Sequence, residues 1–208
     1  MKKTVIFLMM FCMSCFAMGL SVNKSIVVEK GDRTGGCTSV NGSITVKDDA
    51  KIYGMCRTVN GQIRIQRNCR VEHVQSVNGA VFIDEATDVD GNIATVNGSV
   101  TCKAKVKVKG DVKTVNGAIK LVNTTVTDDI STHNGDITLD RNSVVLKDII
   151  IKDSHNSHGN PKHLKIRIID SMVEGDIVNR DHRKSVTVYL VGDSRVNGEF
   201  RNIDRVER

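Results

Sequence analysis

"TVNG" stands at residues 58–61 and returns at 95–98 and 114–117; with serine in place of threonine it is also at 39–42 and 76–79. The asparagines Asn23, Asn41, Asn60, Asn78, Asn97, Asn116 and Asn134 are separated by steps of 18 or 19 residues. A fixed short period is the mark of a repeat architecture, in which each unit buries its apolar face only against its neighbours.

Asn-Gly is also a hairpin signal. A meander, however, needs turns about every 8–12 residues, and Asn-Gly comes once per 18 or 19 here. The apolar columns separate the two readings. The residue before each Asn is Val22, Val40, Val59, Val77, Val96, Val115 and then His133. Five after, it is Val28, Val46, Ile65, Ile83, Cys102, Leu121 and Leu139; eleven after, Ile52, Val71, Val89 and Val108 recur. Aliphatics thus repeat at a step of six, with partners three after each Asn and four before the next, while the ninth position is mostly small or polar. Three short strands per coil, each turning a pair of residues inward, satisfy this pattern because strand side chains alternate. The expected fold is all-β: a three-sided parallel β-helix (β-solenoid) of about nine coils stacked about 4.8 Å apart.

In this reading Asn-Gly marks one corner of the coil. Gly accepts a left-handed backbone and Asn tolerates it. Asn41, Asn60, Asn78, Asn97, Asn116 and Asn134 form a column whose amides can bond up and down as a ladder. Gly35, Gly54, Gly91 and Gly110 mark a second corner. The motif is therefore read as structural.

The C-terminal part keeps the rhythm without the motif. "IRIIDSMVEGDIV" (166–178) and "VTVYLVGDSRVNG" (186–198) match earlier half-coils, which places Asn197 outside the "TVNG" column. Residues 153–162, with Pro161, read as a polar loop extruded from a coil, and 200–208 as a charged cap. The near absence of aromatics (3% of residues) suits thin coils. One solenoid domain over 20–208 is expected.

Residues 1–19 read as a signal peptide: Lys2 and Lys3 precede a short apolar run ending in small residues, with a cut before Leu20. A rival cut before Cys15, preceded by Ser14, would leave a lipid-bearing cysteine. Either implies export to the periplasm or beyond, in an envelope-anchored form for the second. Export gives the cysteines meaning. Cys37 and Cys56 each lie four before an Asn, in adjacent coils. Their expected Cα separation of about 5 Å suits a disulfide. Cys69 and Cys102 read as buried small hydrophobes.

The net charge is +6. Lys103, Lys105, Lys107 and Lys109 alternate, and so read as one outward face. They form a candidate patch for an anionic glycan or lipid surface, or a solvated face that discourages strand pairing. Nucleic acid is not an expected partner, because there are few aromatics to stack on bases. The outward columns offer Asp48 and Asp49 in one coil, then Arg67 and Asn68, Glu85 and Ala86, Lys105, Asn123 and Arg141. These supply no pair of stacked carboxylates of the kind glycan cleavage needs. His155, His158 and His163 are the one candidate metal set. No cofactor is expected.

The run from "SVNGSITVKDDAKIYG" through "TVNGAIKL" resembles exported bacterial proteins built of VNG-repeat coils and, more distantly, the polymer-forming bactofilins. The resemblance covers residues 22–198. It implies a β-solenoid with a non-enzymatic scaffolding role at the envelope; end-to-end self-association is one form that a structural or interaction protein there can take. A glycan- or lipid-binding module and a carbohydrate-active enzyme are the competing function classes.

Overall fold

The computed structural model describes residues 18–153 and 163–207. Among them every regular element is a strand, and the strands are parallel and stack as a β-solenoid of about nine turns.

Each turn contributes three short strands. The first face carries ten, from Ile26–Val28 and Ile44–Val46 through Ile137–Asp140, His163–Ile169 and Ser185–Val191 to Arg205–Glu207. The other two faces form a 17-stranded sheet, because Lys51–Thr58 and Arg70–Ser76 run on through the corner between them. Pairing is residue on residue: Ile44 lies on Ile63, Ile63 on Val81, and Val100 on Ile119. The core is a stack of aliphatic ladders in which Ile44, Ile63, Ile83, Val100, Ile119 and Ile137 are inaccessible or nearly so.

Four of the five expected columns point inward. The fifth does not. On the third face the inward pair lies four and two residues before each Asn: Cys56 and Thr58, Val74 and Ser76, Ile93 and Thr95, Val112 and Thr114. The valine before the Asn faces out, with Val22, Val40 and Val96 clearly exposed. Alternation is the reason. If the residue four before the Asn is inside, so is the one two before it, and the next is turned away. The step-of-six count followed hydrophobicity and so passed over a buried hydroxyl.

The corners also differ from expectation. Neither residue of the Asn-Gly pairs has positive φ. The glycine is demanded by proximity: a Cβ on Gly61, Gly79, Gly98 or Gly117 would overlap the carbonyl oxygen of the glycine one coil before. Most left-handed residues lie at the corner between the first and second faces, Asp49, Asn68, Ala86, Lys105, Asn123 and Arg141 among them, while Asn202 follows a third-face strand.

Strands reach both ends of the described residues. Met18–Ser21 is a strand paired with Gly36–Ser39, so the first coil runs through the anticipated cut before Leu20. The tail expected as a cap instead continues the solenoid. Phe200 lies on Ile177, and Arg205–Glu207 pairs with Thr187–Tyr189.

Candidate interaction surfaces

The Asn-Gly corner gives each letter of the motif a separate task. The hydroxyl of Thr58 donates to the carbonyl of Gly42 at 2.8 Å, and Ser76, Thr95 and Thr114 repeat this to Gly61, Gly79 and Gly98 at 3.1–3.2 Å. Gly79 N–H donates in turn to Ser76 Oγ at 3.0 Å. Buried polar groups are thereby satisfied inside an apolar core. The Asn amides form a continuous ladder: Asn41 Nδ2 donates to Asn23 Oδ1, Asn60 to Asn41, Asn78 to Asn60, Asn97 to Asn78, Asn116 to Asn97 and Asn134 to Asn116, all at 2.7–2.9 Å. The ladder lies on the surface. Asn197 is outside it and bonds Glu174 Oε2 at 2.6 Å.

A second ladder at the next corner escaped the sequence reading. His73 Nδ1 accepts from Asn92 N–H. Asn92, Asp111, Asp129 and Asp148 side-chain oxygens accept from the N–H of Asp111, Asp129, Asp148 and Asp176, at 2.8–3.1 Å. The signal was available in the same 18–19 spacing, one residue after Gly91, Gly110 and Gly175. Asp176 Oδ1 accepts in turn from Glu199 N–H at 2.8 Å, so these carboxylates are structural acceptors, and two of them have cations beside them: Lys113 at 2.6 Å from Asp111 and Arg201 at 2.9 Å from Asp176.

The four lysines do not share one face. The backbone turns at Ala104 and Lys105, and Lys105 has φ 62°. Lys103 and Lys109 are each 2.7 Å from an aspartate of the coil before, Asp84 and Asp90. Arg70 also meets Asp90, at 2.6 Å, and the two cations hold that carboxyl below its usual range. All four lysines are exposed, but two of them, Lys103 and Lys109, are thus held in ion pairs.

Cys37 and Cys56 are register partners, but both are free and buried. The expected disulfide is not formed. In-register side chains on one face of parallel strands keep roughly the strand spacing of about 4.8 Å, wider than the Cβ separation of about 3.8 Å a disulfide prefers. Burial pushes the Cys102 thiol up to about 12 and the Cys69 thiol to about 11, so neither is a reactive thiolate.

Of the candidate metal set, His155 and His158 lie outside the described residues, as do Cys15, most of the leader and most of the loop. His163 is exposed and sits 3.1 Å from Ser185 Oγ. Among the described residues no group of three potential ligands converges.

In the C-terminal coils a different polar cluster closes the corner. Asp181 and Lys184 are almost completely buried and 2.9 Å apart. Lys184 Nζ also donates to His133 O at 2.8 Å. Asn179 Nδ2 donates to Lys184 O and its Oδ1 accepts from Asp181 N–H, both at 3.0 Å, and Arg183 bridges Asp181 and Asp153. The inserted turn "NRDHRK" (179–184) thereby supplies its own partners.

These features define a parallel β-solenoid with three strands per turn, cross-linked between coils by side-chain ladders. No protein-family model, curated protein or solved structure matches the chain.

Proposed function

We propose that this chain is a non-enzymatic structural protein of the bacterial cell envelope that self-associates end to end. The observation that carries the reading is the state of the terminal coils. Among the described residues Ile26–Val28 pairs only with Ile44–Val46, and Arg205–Glu207 only with Ser185–Val191. The last coil ends on a cavity of about 450 Å³ lined by Leu190, Val196 and Phe200 among others. Open parallel edges over a partly exposed core are templates for the matching edge of another copy. The surface ladders fit a mechanical role, since their polar groups are engaged in bonds between coils.

The envelope location rests on the leader. Met18–Ser21 belongs to the first coil, and processing at Cys15 preserves that strand whereas a cut before Leu20 divides it. The reading therefore includes a lipid-anchored form. Sedimentation velocity with electron microscopy of the full chain tests the association. Rods one solenoid wide, lengthening with concentration, are expected. A monomer at every concentration reached would overturn it.

A further inference from the structure

The "TVNG" corner carries an exposed column that the fold does not require. Val40, Val59, Val77, Val96 and Val115 point outward, and each lies just outside its strand, at the bend. Strand propensity therefore does not call for a β-branched residue there, and core packing does not use it. Beside the valines runs the Asn ladder, then the packed glycines, then Ser43, Gln62, Ala80, Ser99 and Ala118. These five quartets hold 20 residues without one charge, in a chain that is 26% charged. The rest of the surface is dense in ion pairs such as Lys47–Glu29, Arg70–Asp90 and Lys147–Asp128. The neutral edge ends where His133, Asp136 and Lys152 enter the same columns.

We propose that this edge is a lateral interface between two copies of the chain. Two features select a second copy as the occupant. The valines and amides repeat at the coil spacing of about 4.8 Å, so a second edge of the same period meets them at every step, as identical ladders do when paired sheets interdigitate. The edge also lacks charge, so two identical surfaces meet without repulsion, as an isologous pair must. With the chains antiparallel, Val77 faces Val77, and Val59 faces Val96. The edge is about 19 Å long, and a strip of that length about 10 Å wide covers far less than the roughly 800 Å² per partner of a stable complex. The pair is therefore weak and concentration-dependent.

Lateral pairing stops at two, whereas end stacking continues, so the two associations separate by stoichiometry and either can fail alone. The test uses the full chain and two double variants, Val59→Lys with Val96→Lys, and Val59→Glu with Val96→Glu. Sedimentation equilibrium should show the unaltered chain entering a dimer, or its rods pairing side by side. Each variant alone should lose that pairing while keeping its melting temperature. An equimolar mixture of the two variants should recover it, because lysine then faces glutamate. Lateral pairing undiminished in the lysine variant, no side-by-side association of the unaltered chain, or a mixture that fails to recover would overturn the proposal.

Discussion

The array from Asn23 to Asn134 and the coils from His163 to Glu207 solve the same corner in different ways. In the array, a solvent-exposed amide accepts from the coil after it and, from Asn41 on, donates to the one before, and the period stays at 18 or 19 residues. In the later coils the register advances by 29 residues from Ile137 to Ile166 and by 22 from Ile166 to Val188. There the added length around 179–184 brings a buried ion pair and its own hydrogen bonds. The difference teaches what a coil must conserve. Strand register and the inward pairs are kept throughout: Ile137, Ile166 and Val188 stack without a break. The corner needs only that its polar groups be satisfied.

The sharpest way to break this comparison is to remove one acceptor from each region. Asp181→Ala leaves Lys184 buried beside His133 O without its carboxylate, and breaking a buried pair costs about 3–5 kcal/mol. Asn97→Ala removes two exposed amide bonds, and the loss should be about 1 kcal/mol. Urea unfolding measures both. Equal losses would mean that the two corners are energetically alike.

A second test sharpens the account of glycine. Gly98→Ala forces a methyl into the Gly79 carbonyl, and overpacking of that kind costs about 1–3 kcal/mol. Gly31 has φ +76° and open space around it, so Gly31→Ala should pay only the left-handed penalty of about 1–2 kcal/mol. The array glycine should be the more sensitive of the two by thermal melting.

The smallest expected effect lies where the regions meet. His133 occupies the valine column, and its buried Nδ1 has no hydrogen-bond partner. Burial first, then Lys184 and Lys152, lowers its pKa, with a hydrogen bond to the Thr114 backbone and then Asp153 partly opposing. The unfolded chain therefore takes up the proton first as pH falls. Stability is full above the ordinary histidine value of about 6.5 and declines below it, toward the lowered folded value. His133→Val should flatten that decline in melting temperature between neutral and mildly acidic pH.

The sequence showed the solenoid because aliphatic ladders impose their period directly. Ile63 over Ile44 and Leu139 over Leu121 need no context to be recognised. The Asn column was readable for the same reason, although its exposure was not. The rest depended on neighbours one coil away. Whether Gly98 serves a left-handed turn or a close approach is decided by the Gly79 carbonyl. Whether Val96 or Thr95 is inside is decided by the phase of one short strand. The aspartate column was overlooked because acidic residues suggest solvent, while Asp111 and Asp129 spend their oxygens on the next coil's N–H groups.

The central claim is that "TVNG" places its hydroxyl inside and its valine outside. Two single substitutions in one coil, measured by urea unfolding, test it most directly. Thr95→Val deprives the Gly79 carbonyl of its buried donor, and the loss should be about 1–3 kcal/mol. Val96→Thr alters an exposed side chain and should stay within about 0.5 kcal/mol. A larger loss from Val96→Thr than from Thr95→Val would put the valine in the core and contradict the account.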